Sequence, residues 1–152
     1  MTTISPTQDM ASQADAAQRP LVLVGAVAGA VAAAATTLVA VAAKAVDVPL
    51  EAAPRNADAA KEIPMSGFAT GTLMMVAVGI VIALLLAWKA KRPARTWVIT
   101  TVVLTVISFA GPISTGHATT ATRLVLGLTH VVAAAIVIRA IAHRLAQQPA
   151  RR

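Results

Sequence analysis

The stretch LVLVGAVAGAVAAAATTLVAVAA, residues 21–43, decides the fold class of this chain. It holds no charged residue, and as a helix rising about 1.5 Å per residue it covers about 35 Å. The hydrocarbon core of a bilayer is about 30 Å thick, so the segment is long enough to cross it. A second uncharged run, residues 65–88, ends at Trp88 beside Lys89, the pattern of a span anchored at the membrane interface. Both segments are therefore predicted transmembrane helices.

Two shorter apolar segments follow, and we place these spans at residues 96–113 and 123–142. The first should end or kink near Pro112, because proline lacks the N–H that continues a helix. The second lies between Arg123 and Arg139, whose long side chains can reach the interface. The runs are too long, and alternate too little, for strands of a membrane barrel. The chain is therefore predicted to be all-α, with four transmembrane helices in an up-down bundle.

The composition agrees with a membrane protein. Hydrophobic residues make up 57% of the 152 residues and charged residues only 12%, whereas about 25% charged residues is usual in a soluble domain.

The first apolar run, residues 21–43, exceeds the roughly 7–15 apolar residues of a signal-peptide core, so we expect a retained anchor rather than a cleaved leader. We predict a disordered cytoplasmic tail over residues 1–20, a membrane domain over residues 21–145 and a cytoplasmic tail over residues 146–152.

The excess of positive charge predicts the orientation. Thirteen Lys and Arg against six Asp and Glu give a formal net charge of +7. Nine of these cations lie before the first span, between the second and third, or after the apolar run of the fourth, which ends before Arg139; four lie on the remaining segments, Lys44, Arg55, Lys61 and Arg123. Cytoplasmic loops are the ones enriched in Lys and Arg, so the chain is predicted to lie in the plasma membrane with both termini in the cytoplasm.

With two Trp, two Phe and no Tyr, the chain lacks the stacking aromatics of a nucleic-acid binder.

His130 is the main polar residue inside a predicted span. A titratable side chain at that depth is costly and is a functional hypothesis by default. Helical spacing puts Arg123 and Gly127 on the same stripe of the fourth helix. The third helix carries a comparable stripe of hydroxyls, Thr101, Thr105 and Ser108.

Two interpretations of His130 remain open. It is either a proton-relay or ligand-binding group, or a neutral imidazole that hydrogen-bonds a hydroxyl and joins two helices. No Asp or Glu lies in any span to partner a relay, so the sequence favours the structural interpretation.

Signals for catalysis or metal binding are weak. The chain has no cysteine, and its three histidines lack the HExxH or paired spacing of a metal site. No GxSxG element is present, although a Ser/His pair of Ser108 with His130 is conceivable. We therefore predict no enzyme activity, no catalytic or metal-binding residue and no cofactor.

Small residues spaced by four predict close helix packing. Gly25 and Gly29 form a GxxxG pair in the first span, and Gly67 and Gly71 form another in the second. Gly127 leaves similar room beside His130. Such motifs let helices approach closely, either within one monomer or between copies.

The segment SFAGPISTGHATTATRLVLGLTHVVAAAIVIRAIAHR, residues 108–144, resembles the closing part of a family of small actinobacterial four-span membrane proteins, domain of unknown function 6069. The shared features are a Ser-x-x-Gly-Pro turn, a Thr-rich loop, a basic residue that opens the last helix and a His midway along it; here these are Ser108, Gly111, Pro112, Thr119, Thr120, Arg123 and His130. The chain departs from the family at Arg139, where proline or an apolar residue is commoner. The resemblance implies four spans and brings no activity with it.

The sequence thus predicts a small non-enzymatic integral membrane protein, a packing or accessory component whose partners are the lipid bilayer and a second copy or a larger membrane complex. The alternative is a minimal transporter or channel component. In that case His130, Thr105, Ser108 and Arg123 would line a polar path.

Overall fold

A computed structural model describes residues 6–53 and 59–148, with side chains from residue 19 onward. Its helices are α1 Pro6–Ala45, α2 Met65–Lys89, α3 Pro93–Ser108, α4 Ala110–Ser114 and α5 Thr120–Ala146, and its two short strands are β1 Glu51–Ala52 and β2 Lys61–Glu62. Within the described part, four helical segments are long and apolar enough to cross a membrane: Arg19–Ala45, Met65–Lys89, Pro93–Ser114 and Thr120–Ala146. The all-α, four-span prediction is confirmed.

The first helix is longer than predicted. It begins at Pro6, so residues 6–20, expected as a disordered tail, are helical, while residues 1–5 lie outside the described part. Proline fits the first turn of a helix, and the following Ala- and Gln-containing segment has good helix propensity. Once a membrane span has formed, each further residue extends an existing helix and avoids the cost of nucleation. At the other end, α5 stops at Ala146, and residues 149–152 are not described.

The third span is interrupted earlier than expected. The break falls at Phe109, between α3 and α4, whereas Pro112 lies inside α4. Proline has no N–H to bond the carbonyl four residues before it, which here is that of Ser108. The Phe109 N–H bonds Val106 O at 3.2 Å, a tighter turn than the α-helix makes. The effect of the proline therefore appears one turn upstream of the ring.

Helix α1 lies at the centre of the packing. It contacts α2 along one side and α5 along the other, and α5 also packs against α3. A Cβ atom at Gly25 would lie 2.6 Å from Ile80 Cγ1, and one at Gly29 would lie 2.8 Å from Val76 Cγ1. The GxxxG pair therefore lies at the α1–α2 interface of one monomer, where α2 side chains fill the space left by the missing Cβ atoms.

The loop after α1 folds over one end of the bundle, called here the hairpin end. Strands β1 and β2 pair antiparallel, with Glu51 opposite Glu62. Ala53 exchanges two backbone hydrogen bonds with Gly116, at 3.2 and 3.1 Å, and the Thr122 hydroxyl donates to Pro49 O. An ion pair between Lys44 and Glu62 adds a contact at the surface. The loop is thus tied to the start of α5.

The outer surface of the bundle is apolar. Large side chains on different helices are mostly exposed, among them Leu38 at 67%, Met74 at 68% and Leu124 at 70%. In water such a surface would be unfavourable, whereas lipid chains are as apolar as these side chains. Together with the four apolar helices, this makes the chain a multi-pass membrane protein.

Candidate functional site

A cleft of about 430 Å³ lies between α2, α3 and α5. It exists because α2 and α3 approach each other over only a small part of their length, while α5 packs closely against α3. Its rim residues Met75, Val78 and Leu104 are exposed at the surface of the bundle. The cleft therefore opens sideways, where the bilayer would lie.

The lining of the cleft is mainly apolar. Its polar side chains are one histidine, five hydroxyls and the indole of Trp97; the hydroxyls belong to Thr72, Thr101, Thr105, Ser108 and Thr129. Among the described residues that line it, none is an acid, a lysine or an arginine. The cleft is thus a neutral site with a few fixed polar atoms, as small-molecule sites commonly are.

Trp97 closes the end of the cleft that lies away from the hairpin. It is only 1% exposed, and its Nε1–H donates to Ile138 O on α5 at 3.1 Å. On the α2 side its ring lies against Gly79, where a Cβ atom would be 3.5 Å from Trp97 Cη2. The indole therefore separates the three helices at this end and joins α3 to α5. Sequence reasoning did not single out Trp97 as a site residue; the isolated Gly79 within an apolar run was the available signal.

His130 lies in the half of the cleft nearer the hairpin end and is half-buried. Its Nδ1 is 2.7 Å from Leu126 O, one turn earlier on the same helix. A carbonyl oxygen only accepts, so Nδ1 carries the hydrogen, and in the neutral ring Nε2 is an acceptor. The Phe109 ring lies beside it, with centroids 6.0 Å apart. Within the described part of the chain, no residue forms a hydrogen bond with Nε2.

The expected hydrogen bond between His130 and a hydroxyl of the third helix is wrong. Thr101 donates to Trp97 O at 2.7 Å, Thr105 to Thr101 O at 2.8 Å and Ser108 to Thr105 O at 2.7 Å. Ser and Thr in helices reach a carbonyl three or four residues back without any alignment of a second helix. These residues and His130 do line one cleft, but no hydrogen bond, including a Ser108–His130 bond, connects them.

Arg123 lies apart from these residues. It does not line the cleft; it is exposed near the hairpin end and donates to Thr115 O at 3.1 Å. Two further hydroxyls that sequence reasoning missed lie on the cleft instead. Thr129 donates to Leu126 O at 2.7 Å, and Thr72 Oγ1 is 3.0 Å from Thr36 Oγ1 on α1.

The glycines predicted for helix packing divide into two groups. Gly127 lies at a helix contact as Gly25 and Gly29 do, since a Cβ there would be 3.3 Å from Phe109 Cε1. Gly67 and Gly71 line the cleft. A Cβ at Gly71 would meet no side chain within 4 Å, and the atoms nearest to one at Gly67 belong to Ile63 and Pro64, at 3.6 Å. The second GxxxG pair therefore leaves space open.

Histidines outside the cleft are scattered. His117 is in the loop before α5 with a positive φ of 54°, and His143 Nε2 is 3.0 Å from Gln147 Nε2 near the end of α5. In residues 6–53 and 59–148 no group of three or more His, Cys, Asp or Glu could hold a metal ion.

Comparison with known proteins gives one match. The model of a family of unknown function, DUF6069, matches residues 16–147, so the chain belongs to this family. No curated protein and no solved structure matches the chain. The resemblance noted over residues 108–144 is confirmed and extends over nearly the whole described chain, whereas an actinobacterial origin stays a prediction.

Proposed function

We propose that this DUF6069 member is a non-enzymatic accessory protein of the cell membrane that holds an apolar molecule from the bilayer in the cleft between α2, α3 and α5. The observation that carries the proposal is the cleft itself, about 430 Å³ in volume and laterally open. This volume lies within the range of about 300–1,000 Å³ that small-molecule sites occupy.

The size of the cleft favours a small molecule over a partner helix. One turn of a helix with its side chains is about 10–12 Å wide and 5.4 Å long, so it fills about 400–600 Å³. A spanning helix has several such turns, whereas the cleft is closed at one end by the buried Trp97 and does not run the length of the bundle. We therefore propose a chain-like or flat apolar molecule as the occupant of the cleft.

Association with a second copy or a larger membrane complex stays a prediction, and the first GxxxG pair does not favour it. Gly25 and Gly29 already accommodate Ile80 and Val76 of the same monomer. Their backbone is therefore not free for the close helix approach that the motif allows between copies.

The transporter alternative receives less support than ligand binding. A hydrated path needs polar groups along its whole length. Arg123 lies outside the cleft, and the half near Trp97 is lined by apolar residues such as Ile82, Val137 and Ile138. The hydroxyls of Thr101, Thr105 and Ser108 follow one side of the cleft, but each already donates to a carbonyl of its own helix.

The orientation with both termini in the cytoplasm is part of the proposal and places the hairpin end outside. It rests on the excess of Lys and Arg in the tails and in the α2–α3 turn. Because the chain has no cysteine, Lys91→Cys in that turn gives a single labelling site. We expect an impermeant thiol reagent to label it in inverted vesicles and not in intact cells; labelling in intact cells contradicts this orientation.

Binding in the cleft can be measured through Trp97. In Trp88→Phe protein, Trp97 is the one remaining tryptophan, and a terminally brominated alkane that enters the cleft will quench it. We expect quenching in liposomes to saturate with the mole fraction of probe. Gly71→Leu should abolish saturation, because its side chain extends into open space in the cleft.

Ala77→Leu is the matched control, because Ala77 is exposed on the same helix and does not line the cleft. It should leave the saturable quenching intact. Quenching that rises linearly with probe, equally in all three proteins, contradicts a binding site in the cleft.

A further inference from the structure

We infer that the cleft selects a neutral apolar molecule that carries one hydroxyl group, and that this group donates to Nε2 of His130. The inference rests on the proposed function, since it names the class of ligand for the same cleft. It follows from which side-chain hydrogens around the cleft already have partners and which acceptor atoms do not.

The side-chain donors that line the cleft are already used within the bundle. Thr101, Thr105, Ser108 and Thr129 each donate to a carbonyl of their own helix. The indole N–H of Trp97 donates to Ile138 O.

The two remaining donors also have partners. Thr36 donates to Ala33 O at 3.1 Å, so the hydrogen in its contact with Thr72 comes from Thr72. His130 Nδ1–H donates to Leu126 O. Hydroxyl oxygens keep acceptor capacity when they donate, and His130 Nε2 has no partner in the described part of the chain. The cleft therefore offers acceptors to a ligand and no free side-chain donor.

The ligand must also be neutral. A carboxylate or phosphate in an apolar site needs donors or a cation, and the cleft lining provides neither. An ammonium group would need an acid to balance its charge, and no Asp or Glu lies among the described lining residues. A hydrocarbon without a polar group would leave Nε2 without a partner. A hydroxyl meets all three conditions, whereas an amide N–H would bring a carbonyl for which the cleft has no free side-chain donor.

The residues of α5 that line the cleft indicate where the apolar part of the ligand lies. Val137 and Ile138 lie about 10 Å along the helix from His130, at the Trp97 end of the cleft. Between them the α5 lining consists of Ala133 and Ala134, whose small side chains leave room. A ligand whose hydroxyl meets His130 therefore extends its apolar part towards Trp97.

Three terminally brominated probes of equal chain length test this inference in Trp88→Phe liposomes: an alcohol, an alkane and a carboxylic acid at neutral pH. Trp97→Phe protein, in which the exposed Trp88 reports the probe content of the bilayer, corrects for partitioning. We expect the alcohol to saturate Trp97 quenching at a mole fraction about fivefold lower than the alkane, as one net hydrogen bond predicts. The carboxylate should bind more weakly than either.

His130→Phe keeps an aromatic ring beside Phe109 and removes the acceptor. In this variant the alcohol should lose its advantage and bind no more tightly than the alkane does in the same variant. Equal binding of alcohol and alkane in the Trp88→Phe protein overturns the inference. An advantage of the alcohol that survives when His130→Phe is added overturns it as well. If all probes saturate equally, only the hydrogen-bond inference fails; if none saturates, the proposed function fails with it.

Discussion

Helix α2 has two faces, each with a GxxxG motif nearby, and their packing differs. Towards α1, Val76 and Ile80 fill the space above Gly29 and Gly25 so closely that a Cβ atom there would clash. Towards α3, a Cβ atom added at Gly71 of α2 itself would meet no atom of a facing helix within 4 Å. Small residues therefore permit close packing, but a large side chain on the facing helix is required to complete it.

Trp97 accounts for much of the difference between these faces. It lies between α2 and α5 at one end of α3, against Gly79 and Ile138. A side chain of this size keeps α3 away from α2, whereas α1 presents Gly25 and Gly29 to Ile80 and Val76 of α2. The cleft is thus a consequence of one bulky residue facing a surface of small ones.

Removing Trp97 should give the largest loss of stability. Trp97→Ala deletes a buried aromatic ring and its hydrogen bond to α5, and we expect the free energy of unfolding in mixed micelles to fall by about 3 kcal/mol. Trp88→Ala is the control. Trp88 is 60% exposed, and its ring centroid lies 5.2 Å from Lys89 Nζ. The loss of stability should therefore be at most about 1 kcal/mol. Equal losses in the two variants would show that Trp97 does not hold the helices in place.

The second largest difference in stability is expected when a leucine side chain is added on each of the two faces, at Gly25 in the α1–α2 interface and at Gly71 in the cleft. Gly25→Leu overpacks the α1–α2 interface and should lower the free energy of unfolding by about 2 kcal/mol. Gly71→Leu enters open space and should change it by less than about 0.5 kcal/mol. The unfolding midpoint in a denaturing-detergent titration measures both.

Truncation of the opposing side chain provides the check on this comparison. In Gly25→Leu protein, Ile80→Ala removes the clashing atoms and should restore part of the lost stability. If Gly71→Leu destabilises as strongly as Gly25→Leu, the cleft is packed shut in the membrane.

The smallest expected effect concerns hydroxyls. Thr36 and Thr72 form a hydrogen bond between α1 and α2, and a double-mutant cycle with Thr36→Val and Thr72→Val should give a coupling of about 0.6 kcal/mol. The same cycle for Thr105→Val and His130→Phe should give a coupling near zero, because each side chain bonds within its own helix. A clear coupling between Thr105 and His130 would restore the interhelical bond that the sequence predicted.

The spans could be predicted from the sequence because the thickness of the membrane sets the length of each apolar segment independently of the other segments. Residues 65–88 were placed within one residue of α2, since charge and hydropathy change sharply there. The early break at Phe109 and the extension of α1 to Pro6 were missed, because they depend on local backbone bonding and helix propagation. Local backbone bonding and helix propagation leave a weaker pattern in the sequence than hydropathy does.

The site was predicted only in part. His130, Thr101, Thr105 and Ser108 were recognised because polar residues in apolar runs stand out, and they do line one cleft. Trp97 and Gly71 define the shape of that cleft, and this role depends on which helices are neighbours, a non-local property. The hydroxyls were assigned the wrong partners because a carbonyl of the same helix lies within reach of any Ser or Thr in it, whereas a side chain on another helix must also be aligned.

The two tryptophans together test the central claim most directly. Trp97 is 1% exposed yet lines the cleft, whereas Trp88 is 60% exposed on the outer surface. Single-tryptophan proteins, Trp88→Phe and Trp97→Phe, are titrated with the brominated alkane in liposomes. If the cleft holds an apolar molecule, Trp97 quenching saturates at a low mole fraction of probe while Trp88 quenching rises in proportion to it. Trp97 quenching that stays below that of Trp88 at every mole fraction and never saturates would contradict the account.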